Sequence, residues 1–486
     1  MSTVPYAEVF YNQVRAKASH NSYQRTEGLS DQFAYWRLRS LELDLHNGND
    51  GAGWPTLDGD WYVYHVSVVD QGSSVRTFKD ALEVLAGFHA AVPDHEVCTI
   101  ALDIKDNFDA THTPEQLDAL INAALPGAVY TPADLLGSHS NLQQAAGQWP
   151  RLADLRGKFV FILTTGNLDS PTSHLNQYVQ NGATANLRTG FVAPEISTAA
   201  QIKAFDYAVW FNLTMSSVAS LGPKIFAQGF MARAYGANSN RDWQKAVTGK
   251  AHLIGTDKVN AEQDSWARTD NTYGWPFQGI EFAVDPDTVE PGTILGLRVQ
   301  SGDFWGKADS GALLPFVAGD VDAVHTWGVS VPASHVPNDW GKAGLMVRAS
   351  AAADAACFAL LRAAGDEPMR VQVRTTNGAS TSAWDLDPGS SGVKASTWMY
   401  LRLVVSNGGR RVEGLGSTDG VTWVRVHQQD FDEALTLQGL AGSSHDPDAA
   451  IRYLYFPVGD TALARLDAIA IGKDVAATGF SGVYPD

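Results

Sequence analysis

The sequence predicts an α/β chain in two parts: a TIM-type (β/α)8 barrel followed by an antiparallel β-sandwich. Three observations predict it. Up to about residue 260, apolar strand-like runs alternate with amphipathic helix-like stretches, the rhythm of parallel strands joined by crossover helices. Those runs number near eight over a length typical of a closed barrel, about 250 residues. Beyond residue 280 the helical periods give way to short alternating strands separated by turn signals.

In chain order, the strand-like runs of the first part are 13–18, 40–45, 61–65, 97–104, 158–164, 191–195, 208–212, 225–228 and 251–256. Helix-like stretches at 77–91, 114–124 and 197–207 fall between them. An open doubly wound sheet is the structural alternative, but no Gly-x-Gly-x-x-Gly follows the first strand, so a dinucleotide site has no support. Residues 1–270 are therefore assigned to the barrel and 271–280 to a linker. The sandwich takes 281–473, and 474–486 reads as a poorly ordered tail. Sandwich strands are expected at 294–299, 344–349, 369–375, 398–405, 411–417, 421–426 and 464–471, with Asp419-Gly420 as a hairpin turn. The Ala-rich stretch 351–364 is open between a short helix, a loop and a strand.

Composition narrows the function classes. The 486 residues are 44% hydrophobic and 18% charged, which excludes a disordered chain. Lys plus Arg total 35 against 53 Asp plus Glu, a net charge of −18. Such a surface repels phosphate backbones, so nucleic acid is excluded as a partner, and it does not favour anionic bilayers. No apolar run reaches the roughly 18 residues of a membrane span. The first residues lack a basic segment followed by an apolar one, so no secretory signal is expected in the chain. Two cysteines exclude a disulfide framework; Cys98 lies in an apolar run and reads as a buried, inert thiol.

In a barrel of this kind, reactive side chains sit at the C-terminal ends of strands. Read in order, those ends are His20-Asn21-Ser22-Tyr23, Glu42-Leu43-Asp44, Tyr64-His65 and Asp103-Ile104-Lys105. Glu42 and Asp44 are two apart on a strand and share a face. With Asn21 and Asp103 they form an all-oxygen donor set that suits Ca²⁺ or Mg²⁺ rather than zinc. His20 and His65 supply acid–base capacity near neutral pH, and Lys105, on the same face as Asp103, can neutralise a phosphate oxygen. A lone histidine at a strand end is usually structural, and an Asp-x-Lys pair is usually an ion pair; four consecutive strand ends converging on one ligand is the specific signal. His46 is read as a surface or supporting residue, and His89, His95, His112 and His139 as solvent-facing.

These residues resemble the catalytic region of phosphatidylinositol-specific phospholipases C, in particular the bacterial calcium-dependent branch. The likeness covers roughly residues 10–260, and Ala251-His-Leu-Ile-Gly-Thr-Asp257 is similar to that family's closing strand. The resemblance implies that His20 and His65 are catalytic, that Asn21, Glu42, Asp44 and Asp103 bind Ca²⁺ in preference to Mg²⁺, and that Lys105 contacts phosphate. It also implies headgroup contacts from Arg233 and Tyr235, and a base role shared by Glu42. The activity implied is calcium-dependent cleavage of an inositol-type phosphodiester by attack of a neighbouring hydroxyl. The substrate would be a small-molecule, lipid-linked or glycan-linked phosphodiester, with transient membrane contact, and the enzyme would be secreted. The fourth-strand acid departs from the family, being Asp103 where relatives carry Glu.

Trp54, Trp61 and Tyr62 precede His65 and are read as packing over the barrel mouth rather than as a lipid-facing rim. The second part resembles concanavalin-like sandwiches appended to carbohydrate-active proteins, through Trp340–Arg348, Trp398–Arg402 and Ser417–Trp423. Its tryptophans are read mainly as core rather than as sugar platforms. Three alternatives remain. A glycerophosphodiester phosphodiesterase lacks its His-Arg-Gly and Pro-Glu-Asn-Thr signatures here. A glycan-cleaving enzyme using the acidic cluster leaves the histidine pair unexplained. A silent lectin-like protein leaves unexplained why the full histidine and acid set is intact.

Overall fold

The barrel strands are β1 (Ala16–Ser19), β2 (Ser40–His46), β3 (Tyr62–Val63), β4 (Cys98–Ile104), β5 (Phe159–Thr164), β6 (Phe191–Val192), β7 (Trp210–Leu213), β8 (Met231–Ala234) and β9 (Leu253–Thr256). This is a computed structural model, and it describes residues 9–48, 55–66, 69–260, 263–267, 295–300, 302–316, 320–331, 338–364, 369–386, 398–446, 448–458 and 476–478. Almost every residue of these strands is buried, as expected where one face fills the barrel and the other packs on helices. Eight strands pair in parallel in the order β6-β5-β4-β2-β1-β9-β8-β7. A single parallel bridge between Glu195 and Asn212 joins the two ends of that order, so the ring is nearly closed. The helix Pro114–Ala124 shows the local logic. Pro114 opens it, Thr113 accepts from the Gln116 amide while the Gln116 side chain returns the bond, and Leu117 and Ile121 turn inward.

Three expectations change. The run 61–65 is not a barrel strand: β3 pairs antiparallel with Leu45 and His46 at the C-terminal end of β2, off the barrel path. The run 225–228 is not a strand either. It closes the helix Val218–Phe226, and the strand expected there is β8, three residues later. That helix packs so closely that a Cβ on Gly222 would lie 1.9 Å from the Gly249 carbonyl oxygen. The stretch 197–207 yields only the short 3-10 turn Ala199–Lys203.

Opposite the strands' C-terminal ends, His252 is wholly enclosed. Its Nδ1 accepts from the Ala232 amide at 3.0 Å and its Nε2 donates to the Asn12 carbonyl at 3.0 Å. Burial pushes its pKa down to about 4, well below the ordinary imidazole range. The folded chain therefore refuses a proton that the unfolded chain accepts below about pH 6.5, and stability falls as pH drops from there toward 4. The full effect is about 3 kcal/mol. Urea midpoints at pH 7 and pH 4.5 should differ less in His252→Gln than in the unsubstituted chain; an identical pH slope would remove His252 as the cause.

The chain divides into two compact units, one of residues 1–25, 36–83 and 94–279, the other of 26–35, 84–93 and 280–486. The second unit holds two antiparallel sheets built from β10 (Leu295–Gln300), β11 (Ala312–Pro315), β12 (Ala323–Ser330), β13 (Lys342–Arg348), β14 (Cys357–Ala363), β15 (Met369–Arg374), β16 (Ser382–Leu386), β17 (Tyr400–Ser406), β18 (Arg411–Ser417), β19 (Val424–Asp430), β20 (Leu437–Ser443), β21 (Ala450–Pro457) and β22 (Ala476–Thr478). Their orders are β19-β18-β17-β12-β21-β10-β22 and β11-β20-β13-β14-β15-β16. Residues of both sheets, among them Trp327, Leu345, Phe358, Leu401 and Tyr455, share one core. Residues 26–35 join this unit because Asp31 is buried against Arg362 Nη2 at 2.6 Å and Ser330 Oγ at 2.8 Å.

The Ala-rich stretch 351–364 contains β14, fully buried, where small residues let neighbouring strands pack. The expected tail contains β22, which pairs antiparallel with β10. Asp419-Gly420 lies in the turn between β18 and β19, with Gly420 at φ 73°. Trp398 packs on the core, but Trp340 is 41% exposed with the Arg370 guanidinium over its ring, and Trp423 is half-buried beneath Arg402. The expected linker 271–280, the strand 464–471 and Trp54 lie outside the described residues.

Candidate active site

β1 ends at Ser19, and the chain turns sharply at Asn21, whose φ of 46° is the left-handed region that asparagine tolerates better than most residues. The turn aims the Asn21 amide at Glu42, which accepts it at 2.9 Å. It also sets His20 between two carboxylates. The Nδ1 of His20 bonds Asp257 Oδ1 at 2.9 Å, and its Nε2 lies 3.9 Å from Glu42 Oε2. Burial alone would lower the pKa of His20, but the Asp257 bond and the Glu42 charge outweigh it and hold the pKa above the ordinary value. Asp257 is gripped in turn by Arg25 at 3.3 Å and Asn238 at 2.6 Å. Although it is half-buried, these partners and His20 keep its carboxyl below the usual range.

The alternation of β2 puts Glu42 and Asp44 on the inward face, beside Asp103 of β4, and the adjoining register pairs Asp44 with Asp103 directly. One ligand oxygen from each of Glu42, Asp44 and Asp103 lies within 4.8 Å of the other two. Two cations answer this charge. Arg233 places Nη2 2.8 Å from Glu42 while its Nη1 donates to Asn212 at 2.8 Å. Lys105 sits 2.9 Å from Asp44 and 2.6 Å from Asp103. Burial would raise the pKa of Glu42, but Arg233 and His20 reverse that and lower it. Asp44 goes the other way. Burial, then repulsion from Asp103 and Glu42, pushes it up to about 8 despite Lys105. The acidic triad is thus short of positive charge.

His65 reaches this group through a relay of hydrogen bonds. Its Nδ1 bonds Asp70 at 3.0 Å, Asp70 accepts from Gln24 at 2.7 Å, and Gln24 accepts from Asn21 at 3.4 Å. A reciprocal pair of backbone bonds between Val66 and Asp70 closes the loop that carries His65, whose side chain is 38% exposed. Tyr235 lies parallel to His20 with ring centroids 6.1 Å apart and donates to Glu195 at 3.2 Å. Burial and the Glu195 charge push its hydroxyl up to about 12, so it stays a donor.

All nine candidate residues therefore lie in the first unit, with Arg233 turned onto Glu42 and Asn212 rather than outward, its side chain 1% exposed. Sequence reasoning gave no role to Asp257, Arg25, Gln24, Asp70, Asn212 or Glu195. Only Asp257 carried a signal, as the last residue of the closing-strand motif. The supporting histidines are also corrected. His95 and His112 are fully buried, the former bonded to the Glu96 carbonyl at 2.7 Å and the latter edge-on to Trp61. His46 is buried and stacked on Tyr64 at 3.8 Å. Trp61 and Tyr62 are fully buried, which leaves neither exposed as a lipid-facing rim.

The donor set fits calcium in this structure. Glu42, Asp44 and Asp103 converge with carboxylate oxygens that could hold one ion, and the buried Asp103 Oδ1 accepts no hydrogen bond among the described residues.

Residues 58–268 match the family model described as phosphoinositide phospholipase C, Ca²⁺-dependent. No curated protein matches this chain. Among solved structures, the calcium-dependent phosphoinositol-specific phospholipase C of a Gram-negative Pseudomonas species is 20% identical, covering 53% of this chain and 93% of that one at a TM-score of 0.46. The Ca²⁺-dependent phosphatidylinositol-specific phospholipase C of Streptomyces antibioticus is 21% identical, covering 52% and 96% at 0.43. A putative glycerophosphoryl diester phosphodiesterase of Silicibacter pomeroyi is 13% identical, covering 53% and 97% at 0.32. The family whose model this chain's barrel matches is therefore one described as calcium-dependent and acting on phosphoinositides.

Proposed function

We propose that this chain is a calcium-dependent phosphodiesterase of the phospholipase C type that cleaves an inositol-type phosphodiester by attack of the neighbouring ring hydroxyl. The observation that carries the reading is His20 held by Asp257 at Nδ1, with Nε2 3.9 Å from Glu42, one of three converging carboxylates. His20 Nε2 removes the hydroxyl proton as the oxygen attacks phosphorus; Glu42, kept ionised by Arg233, steadies the imidazolium that results. The bond from phosphorus to the leaving oxygen breaks, and His65 in its protonated form returns a proton to that alkoxide. Asp257 and Asp70 each hold one histidine Nδ1, which leaves both Nε2 atoms for the reaction. Asn21, Glu42, Asp44 and Asp103 would hold calcium, which when bound supplies a Lewis acid for a phosphoryl oxygen. Tyr235 and Glu195 offer a donor and an acceptor beside His20 for the other ring hydroxyls.

Phosphatidylinositol and glycerophosphoinositol, each incubated with the protein in calcium or in EDTA, distinguish the readings by phosphorus-31 signals. A cyclic phosphate that forms with calcium and disappears with EDTA is the expected result. A linear monophosphate formed directly would mean water is the nucleophile and would overturn the hydroxyl-attack reading. Turnover of glycerophosphoinositol alone would assign a soluble substrate. For the second unit we propose glycan binding, with Trp305 and Trp340 among its exposed aromatics.

A further inference from the structure

The two cations of the site are not equivalent. Arg233 is 1% exposed and is held on its other side by Asn212, so it has no room to leave Glu42. Lys105 is the residue immediately after β4. Its amide is fixed to the Leu45 carbonyl at 3.0 Å, while its side chain is 25% exposed. Only its flexible stem must move for the ammonium to swing outward. In place, that ammonium lies 2.9 Å from Asp44 and 2.6 Å from Asp103, bridging two of the three carboxylates that would ligate a metal.

We infer that Lys105 is a tethered counter-ion that calcium must displace, and that its release delivers a positive charge to the substrate phosphate. This rests on the metal-site reading above. Arg233 and Lys105 offset only part of the charge of the three carboxylates, and the excess that Glu42, Asp44 and Asp103 keep draws a divalent cation toward them. An incoming divalent cation cannot share the Asp44–Asp103 gap with an ammonium, because like charges at such separations repel strongly. The displaced ammonium, still anchored beside the site, can then meet an anion. Calcium and an anionic phosphodiester would thus favour each other's binding, by the reciprocity that governs any two coupled ligands. Lys105 is in this sense a residue that sets metal affinity as well as a phosphate contact.

Calorimetric titration with calcium alone, no substrate present, tests it on the full chain. Lys105→Met removes the competitor and should tighten the calcium dissociation constant by about tenfold or more. Lys105→Gln, neutral and polar, should tighten it in the same direction and serves if the methionine variant does not fold. Lys105→Arg keeps the charge and should bind calcium no more tightly than the unsubstituted chain. Equal or weaker binding by both neutral variants overturns the inference while leaving the metal site standing. Absence of calcium binding in every protein, the neutral variants included, overturns the metal site and the inference together.

Discussion

His20→Ala should lose turnover of the phosphodiester by about 10²–10⁴-fold, the usual contribution of a positioned general base. Its calcium dissociation constant should change little, since His20 lies 3.9 Å from Glu42 and is not one of the converging oxygen donors. That separation is the useful part. A variant that merely failed to fold would lose calcium as well as turnover, whereas loss of the base removes only chemistry. The rate follows from cyclic phosphate formation at saturating substrate and calcium, and the affinity from calorimetry on the same preparation. Turnover within about tenfold of the unsubstituted chain would be too small for a general base and would move that role to another group. Glu42 is the nearest candidate, but Arg233 at 2.8 Å lowers its basicity.

What was legible in the sequence was what depends on short-range periodicity. Glu42 and Asp44 were legible as a pair because a strand repeats every two residues, and Lys105 beside Asp103 for the same reason. The barrel itself was legible as near-continuous apolar runs, since both faces of its strands are buried. β8 is hidden in the sequence because Arg233 stands within it. A charge in a four-residue strand breaks the apolar run, and only the fold shows that Glu42, far away in sequence, neutralises it. The run 225–228 looks like a strand in sequence because a short apolar stretch does not reveal its period, and here it ends a helix. The supports of both histidines were hidden in the same way. Asp257 meets His20 across 237 positions, and Asp70 gains meaning only once the loop closes it onto Gln24. In the second unit, β14 was ambiguous because its alanines favour a helix, while its partners β13 and β15 pair with it on both sides.

The largest stability effect is expected in the second unit, at Asp309. Asp309 Oδ1 accepts from Arg374 Nη2 at 2.7 Å and Oδ2 from Arg374 Nη1 at 3.1 Å, while Arg348 bonds the same Oδ2. All three side chains are fully buried. Arg348 closes β13 and Arg374 closes β15, so one carboxylate ties two strands of a sheet to the segment that precedes β11. Other guanidinium hydrogens reach neutral oxygens, among them the Ala352 and Ala355 carbonyls, which cannot balance the charge. Asp309→Ala leaves two buried guanidiniums without a counter-charge, a loss of about 3–5 kcal/mol. Urea unfolding followed by hydrogen exchange should locate that loss in Lys342–Arg348 and Met369–Arg374. The exposed pair Arg411–Asp430 has similar bonds, 2.7 and 3.1 Å, yet water already solvates it, so Asp430→Ala should cost far less. If the two variants were equally mild, water would have to reach Arg348 and Arg374 when Asp309 is removed. The buried triad would then act as a polar filler of the strand ends rather than as the tie that closes them.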